Sequence, residues 1–192
     1  MTFAFHNYAL PVFLSLLAVT GGSHLNHRNH RRERGNPAPK SLHFTLFQHE
    51  TINKTGFVTV NGVEGGEGKS ENSTPFGTVL VFQDPLTAKP NRSSKQLGTA
   101  EGTSITSGLD GLSSISVAKL TLRLNNHKGS ISIVGGTNTL ERSDYPVVGG
   151  TEDFLFVHGY VTSSPLHVNP PTLVFKIGFH LYWPPYPSQP SY

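Results

Sequence analysis

Hydrophobic and polar residues alternate along residues 173–183. Such alternation is typical of a β-strand with one buried face and one solvent-facing face. The pattern therefore predicts a strand whose inward and outward residues can be read directly from the sequence. The inward residues are Leu173, Phe175, Ile177, Phe179, Leu181 and Trp183, and the outward residues are Val174, Lys176, Gly178, His180 and Tyr182.

Seven further segments are rich in Val, Ile, Phe, Thr and Leu, and clusters of Gly, Pro, Asn or Asp separate most of them. This arrangement indicates strands joined by turns, and no segment shows a helical repeat with caps. Eight strands in about 140 residues predict an all-β closed antiparallel barrel or a sandwich. The seven segments are Leu42–Phe47, Phe57–Val60, Gly77–Phe82, Leu97–Ile105, Ser113–Leu124, Ser130–Val134 and Phe154–Val161.

The segment Phe154–Val161 is apolar on both faces, which predicts a central strand covered on both sides. A partner subunit is one way to cover the second face, so we expect a homo-oligomer, either a dimer or a trimer.

Composition excludes several classes of protein. The 192 residues contain no Cys, which excludes disulfide scaffolds, thiol catalysis and zinc ribbons.

Basic residues concentrate between His24 and Lys40, where there are five basic residues and one acidic residue. Residues 41–192, in contrast, carry 10 basic and 11 acidic residues. A nucleic-acid-binding domain would carry its basic residues on the folded surface, so no nucleic-acid partner is expected.

The N-terminus predicts export. Residues 9–19 form a short apolar run followed by small residues, which is typical of a signal peptide over residues 1–22. A basic linker over residues 23–40, a domain over 41–184 and a Pro-rich tail over 185–192 would follow. No later segment is long and apolar enough to span a membrane, so we expect a secreted protein without a membrane partner. Secretion would make the sequons at Asn53, Asn72 and Asn91 candidate glycosylation sites.

Common cofactor and metal motifs do not fit. The Gly65–Ser70 run lacks the first glycine of a phosphate loop, and His49-Glu50-Thr-Ile-Asn53 has Asn where a zinc-protease helix has its second His. The spacing of His24, His27 and His30 allows loose chelation, but a solvated basic linker explains it as well. We expect no cofactor and no metal site.

Three collinear stretches resemble the plant dirigent family. They are Gly77-Thr-Val-Leu-Val-Phe-Gln-Asp-Pro-Leu-Thr87 with Gly98-Thr-Ala-Glu-Gly102, Pro146-Val-Val-Gly-Gly-Thr-Glu-Asp-Phe154 with His158-Gly-Tyr160, and Phe47-Gln-His-Glu50. The resemblance implies an eight-stranded antiparallel barrel similar to allene oxide cyclase, with no substantial helix outside the signal peptide. It also implies an oligomer secreted to the apoplast. Members of the family direct the stereochemistry of phenoxy-radical coupling, typically of coniferyl alcohol, after a separate laccase or peroxidase has oxidised it.

The resemblance also suggests site residues. Glu50 matches the acidic position of the first strand, where burial can raise the pKa of a carboxyl group. Asp84 matches the acid of an Asp-Asp-Pro turn, where turn capping is an alternative role. Arg142 and Asp144 lie near the family's Arg-acid pair. The aromatic residues that could line a substrate cavity or simply fill the core are Phe44, Phe82, Phe154, Phe156, Phe175 and Phe179.

This chain departs from the family pattern at several pocket positions. Gln83 replaces the first acid of the Asp-Asp-Pro turn, and the region of Thr137 and Asn138 lacks an Asp that some lignan-forming members carry. Three functions stay open: a non-oxidising protein that directs radical coupling, a cyclase or dehydratase acting on quinone-methide-type intermediates, and a wall-binding defence protein. A carboxylic acid in the pocket would serve the second function by protonating a quinone-methide oxygen.

Overall fold

The structure is a computed structural model, and it describes residues 40–63 and 73–185. The predicted signal peptide, nearly all of the basic linker, the sequon at Asn72 and most of the C-terminal tail lie outside the described residues. Within the described ranges no helix is long and apolar enough to cross a membrane.

Nine antiparallel strands and one short 3-10 turn, Glu152–Phe154, make up the regular structure of the described residues. The strands are β1 (Lys40–Thr51), β2 (Gly56–Val60), β3 (Val79–Thr87), β4 (Gln96–Thr106), β5 (Ser113–Arg123), β6 (Lys128–Asn138), β7 (Ser143–Gly150), β8 (His158–Asn169) and β9 (Thr172–Trp183).

The sheet closes on itself. Its order is β1-β9-β8-β7-β6-β5-β4-β3-β2, and Phe47 and Gln48 of β1 also pair with Thr87 and Leu86 of β3. Because β2 continues in the direction of β1 along the same edge of β3, the nine strands occupy eight positions around the ring. The predicted eight-stranded antiparallel barrel is confirmed.

The prediction of individual strands failed at two places. Strand β7 was missed because Pro146 and the pair Gly149-Gly150 resemble a turn more than a strand. The predicted strand Phe154–Val161 is wrong, because residues 152–154 form the 3-10 turn and β8 begins only at His158. Phe156 has a positive φ of 60°, which does not fit a continuous strand. The structure therefore removes the two-faced strand from which an oligomer was predicted.

The inward face of β9 matches the alternation in the sequence. Phe179 and Leu181 are completely buried, while Lys176 and Tyr182 are exposed on the outside. The half of the barrel that contains Phe154 and Trp183, here called the closed end, is filled with side chains. Phe44 stacks on Phe179 with ring centroids 4.3 Å apart, and the Trp183 indole donates a hydrogen bond to the Leu155 carbonyl. Dense packing at this end confines the free interior volume to the other half.

Candidate functional site

A cavity of about 450 Å³ occupies the interior of the barrel, in the half opposite the closed end. This volume is within the range typical of small-molecule sites. Apolar side chains from many strands form most of its lining, and polar groups gather on two sides. The apolar residues include Leu80, Phe82, Leu120, Ile133, Val161, Leu173, Phe175 and Ile177.

A break in the strand ladder creates the first polar side, here called the acid wall (Gln48, Glu50 and Asp84). On β3, the N–H group of every second residue points toward β1 and β2. Gln83 is one of these residues, and its N–H group donates a hydrogen bond to the carbonyl of Thr55. Pro85 occupies the next such position and has no N–H to donate. The first strand therefore leaves β3 after Gln48 while it stays paired with β9, and β2 resumes the pairing with β3 at Gly56.

Glu50 lies at this break and lines the cavity, with 9 % of its surface exposed. The absence of a side chain at Gly56 makes room for its carboxyl group, since a Cβ there would lie 2.8 Å from Glu50 Oε1. Burial, and secondarily the nearby Asp84 charge, raises the pKa of Glu50 to about 7. A carboxyl group with such a pKa can donate a proton near neutral pH and accept it back.

Asp84 lies on the inward face of β3 and is completely buried, next to the cavity but outside its lining, so it acts on the site through Glu50 and Gln48. The Gln48 side-chain amide donates a 2.7 Å hydrogen bond to Asp84 Oδ2, whereas Oδ1 has no hydrogen-bond partner. Burial raises the pKa of Asp84 to about 6, against the lowering effects of the nearby Thr55 hydroxyl, the Gln48 hydrogen bond and the Arg92 charge. A buried carboxylate oxygen without a donor is costly when charged, so the two acids of this wall resist simultaneous ionisation.

The second polar side, here called the hydroxyl wall, is a chain of neutral groups from β4 to β7. Ser116 donates to Ser104 over 3.0 Å and lies 2.7 Å from the Thr137 hydroxyl, which lies 2.7 Å from the Tyr145 hydroxyl. Burial raises the pKa of the Tyr145 phenol, so this group stays a neutral donor and acceptor. All four residues line the cavity. The wall can therefore hold a polar group of a ligand without introducing charge.

The structure divides the predicted aromatic residues into three groups. Phe82 and Phe175 line the cavity. Phe44, Phe154 and Phe179 instead fill the closed end and lie outside the cavity lining, so their predicted role in substrate binding is corrected to core packing. Phe156 lies on the surface with 61 % of its area exposed, because the irregular segment before β8 turns it outward, and it too is not a cavity residue.

The predicted pair Arg142 and Asp144 also lies outside the cavity lining. The two side chains form a salt bridge of 2.9 Å on the surface of the β6–β7 hairpin, and both are exposed. Because the intervening Ser143 side chain points inward, its neighbours point outward. The structure therefore corrects the cavity role suggested for this pair to a surface ion pair.

The sequons at Asn53 and Asn91 lie in exposed turns. Within residues 40–63 and 73–185, no three His, Cys, Asp or Glu side chains are grouped so as to hold a metal ion.

The sequence analysis missed the hydroxyl wall. The sequence does contain pairs of hydroxyl residues spaced two apart, as expected for one face of a strand. They are Ser104 and Thr106 on β4, and Ser114 and Ser116 on β5, and all four line the cavity. These positions point inward only if the register is known, and register is a property of the paired strands rather than of one sequence.

A closed eight-stranded antiparallel barrel with a buried carboxyl group in the wall of its interior cavity defines the fold class and the candidate site. Comparison with known sequences identifies the family. Residues 41–182 match the family described as Dirigent-like protein, and the chain belongs to that family.

Individual relatives agree with this assignment. The chain is 30% identical over 128 residues to dirigent protein 11 of Arabidopsis thaliana, covering 66% of each chain. It is 31% identical over 126 residues to pterocarpan synthase 1 of Glycyrrhiza echinata, covering 64% of this chain and 65% of that protein. The match thus spans slightly less than two thirds of the length of either relative.

The fold also matches solved structures. The pterocarpan synthase dirigent protein GePTS1 superposes with a TM-score of 0.66 at 23% identity, over 76% of this chain and 91% of that one. The pterocarpan synthase dirigent protein PsPTS1 superposes with a TM-score of 0.61 at 26% identity, over 74% and 94% of the two chains.

Proposed function

We propose that the cavity binds a phenolic intermediate of the quinone-methide type and controls the stereochemistry of its cyclisation, with Glu50 as the general acid. The observation that carries this proposal is the position of the Glu50 carboxyl group in the cavity wall with a pKa of about 7. A group with this pKa is well suited to proton transfer at neutral or mildly acidic pH.

The reaction is an isomerisation. Glu50 donates its proton to the carbonyl oxygen of the quinone methide, which becomes a phenol as the ring regains aromaticity. A hydroxyl group of the same substrate attacks the electrophilic methide carbon and forms a C–O bond. That hydroxyl group then releases its proton, which returns to the Glu50 carboxylate directly or through water. No electron is gained or lost, so the step needs no oxidant.

The two polar walls supply orientation. A ligand whose carbonyl oxygen contacts Glu50 would place a second polar group toward Thr137 and Tyr145, with its rings against Phe82 and Phe175. If one docking mode is favoured by only about 1.4 kcal/mol, the product ratio is about tenfold. Pterocarpan synthases among the relatives and the similar structures support a cyclisation reaction.

Stereodirected coupling of two phenoxy radicals derived from monolignols such as coniferyl alcohol is a second candidate function. The polar groups on two sides of one apolar cavity favour it, because two such phenols placed together present hydroxyl groups at both ends. The relatives named dirigent proteins also support it. This function requires an external laccase or peroxidase to generate the radicals.

We further propose that the chain is secreted to the apoplast and acts as a homo-oligomer. Support for the oligomer comes from an apolar row on the outer face, where residues in register on five neighbouring strands are Phe57, Val81, Thr103, Val117 and Val134. Val117 of this row is 50 % exposed. Association would cover this row. Light scattering should give the mass of a dimer or trimer, and Val117→Asp should reduce it to the monomer mass.

The deciding experiment compares two reactions of the purified full chain. In the first, a quinone methide that carries an internal hydroxyl group, generated in solution by loss of a leaving group from its precursor, is supplied without oxidant. In the second, coniferyl alcohol is supplied with a laccase. Yield and enantiomeric excess are measured by chiral chromatography. We expect oxidant-independent cyclisation, and a decrease of about 10²–10⁴-fold in its rate for Glu50→Gln, because Gln keeps the shape but cannot exchange the proton.

Glu101→Gln is the matched control, since Glu101 lies on the outer face and pairs with Lys119. It should leave the rate unchanged. Cyclisation at equal rates by the wild type and the Glu50→Gln variant would contradict the role of Glu50. Selectivity that appears only with the laccase would replace cyclisation with the second candidate function.

A further inference from the structure

Two histidine side chains lie side by side on the outside of the barrel. His43 of β1 pairs in register with His180 of β9, which pairs in turn with Tyr160 of β8. Inward residues of β1 and β9 alternate with these positions, so the imidazole groups point away from the cavity. His43 is exposed and His180 is half-buried, which leaves the pair accessible from solvent.

The His180 ring is held in place by its neighbours. Tyr160 stacks on it with ring centroids 4.6 Å apart and an interplanar angle of 15°. A Cβ on Gly178 would lie 3.5 Å from His180 Nε2, so this ring nitrogen lies over the glycine. His43 meets the ring edge-on, with centroids 5.5 Å apart. The second nitrogen, Nδ1, is therefore directed along the surface toward His43.

The nitrogen–nitrogen distance suits a shared metal ion. His43 Nδ1 lies 3.4 Å from His180 Nδ1. Two imidazole nitrogens bound at about 2.0–2.1 Å to one tetrahedral ion are separated by about 3.3–3.4 Å. A direct N–H···N hydrogen bond would be expected at roughly 3 Å. The observed separation thus fits two ligands of one ion better than a donor and its acceptor.

We propose that His43 and His180 bind one divalent transition-metal ion on the outer face of the barrel; zinc(II) has the matching tetrahedral geometry, and copper(II) has the higher affinity for nitrogen ligands. Imidazole nitrogens suit both ions. Since no third His, Cys, Asp or Glu of the described residues joins the pair, water or a small chelating molecule completes the coordination. The site is separate from the cavity and takes no part in its chemistry.

The test uses the full chain, in which His24, His27 and His30 are replaced by Asn in every sample. This background removes the other closely spaced histidines, which precede β1 in the sequence. The probe is copper(II) iminodiacetate, because the chelator supplies three donor atoms and leaves positions for two imidazole groups. Binding is titrated by isothermal calorimetry, and bound copper is observed by electron paramagnetic resonance.

We expect one equivalent of the probe to bind, with nitrogen hyperfine structure from two imidazole groups. His43→Gln and His180→Gln should each weaken the affinity at least tenfold and leave hyperfine structure from one imidazole group. His167→Gln is the matched control, because His167 is an exposed histidine of β8 outside the pair, and it should bind like the parent.

Circular dichroism of each variant excludes unfolding as the cause of lost binding. Equal affinity in the parent and both variants would overturn the proposal. So would an equal loss of affinity in the His167→Gln control. A parent that binds no probe at micromolar protein concentration would overturn it as well.

Discussion

The two polar walls of the cavity differ both in chemistry and in burial, since the two carboxyl groups are buried while Ser104, Ser116 and Thr137 are only partly buried. The acid wall holds two carboxyl groups, Glu50 and Asp84, with pKa values raised to about 7 and about 6. The hydroxyl wall holds neutral groups that satisfy one another, as between Thr137 and Tyr145. On the first wall burial destabilises the charged form, whereas on the second it strengthens hydrogen bonds that are already made.

This difference shows where the barrel gives up stability for reactivity. A neutral network of partly buried hydroxyl groups rigidifies the wall to which it belongs. A buried acid that lacks a full set of donors, such as Asp84, lowers the stability of the folded state whenever it is ionised. The acid wall should therefore respond to pH and the hydroxyl wall should not.

The largest expected effect is on the free energy of unfolding as a function of pH. Both carboxyl groups have higher pKa values in the folded than in the unfolded chain, from 4.5 to about 7 for Glu50 and from 3.8 to about 6 for Asp84. The folded state therefore binds more protons, and stability that is fully present below about pH 4 is lost as pH rises to about 7. We expect a loss on the order of a few kcal/mol between pH 4 and pH 8 in urea unfolding experiments.

Glu50→Gln should flatten this dependence, because the amide does not ionise, while Glu101→Gln should leave it unchanged. An equally steep loss of stability in the Glu50→Gln variant would assign the effect to other groups.

Removing a hydroxyl group from the neutral wall should have a smaller effect, and one that is independent of pH. Thr137→Val keeps the side-chain shape but leaves the Tyr145 and Ser116 hydroxyl groups without their 2.7 Å partner. We expect a loss of about 1 kcal/mol in stability and up to about a tenfold change in product ratio. Urea unfolding and chiral chromatography at two pH values measure the two effects.

Thr121→Val is the matched control, since this threonine lies on β5 but faces outward. An effect of Thr137→Val on the pH dependence of stability would contradict the separation of the two walls.

Replacing Asp84 by Asn should change the cyclisation rate by less than tenfold. The nearby charge is the secondary cause of the raised pKa of Glu50, so its removal should lower that pKa while burial still holds it above the ordinary value. The alkaline limb of the pH–rate profile should move to lower pH. A profile that moves to higher pH would contradict the repulsion between the two acids.

The smallest expected effect is that of Gly56→Ala. The new methyl group would lie 2.8 Å from Glu50 Oε1, which must move by a few tenths of an ångström. Because only the end of a flexible side chain moves, we expect roughly a two- to fivefold loss of rate with little change in stability. Gly136→Ala is the control, since nothing lies within 4 Å of the position that its Cβ would take. A normal rate in Gly56→Ala would show that the carboxyl position is not critical.

The fold could be predicted from the sequence where alternation is strict. The inward residues of β9 follow from period two alone, and Phe179 and Leu181 are buried as expected. Strand β7 could not be found in this way, because Pro146 and Gly149 are typical of turns and are tolerated only where tertiary pairing overrides local preference.

The candidate site could be predicted only in part. Glu50 stood out as an acid beyond an apolar run, but its approach to Asp84 depends on the ladder break at Pro85. The hydroxyl wall joins four strands, and no local pattern shows which serines and threonines meet across them. Where alternation is strict, as in β9, local sequence indicates which face of a strand is buried, whereas pairing between distant strands decides which residues meet.

The filled end of the barrel has a consequence for kinetics. Phe154, Phe179 and Leu181 are completely buried there, so this end offers no passage for a ligand. A molecule formed in the cavity must leave through the opening by which the starting compound entered. Because the substrate and the product of the proposed reaction would occupy the same cavity, binding of one excludes the other, and the product should act as a competitive inhibitor.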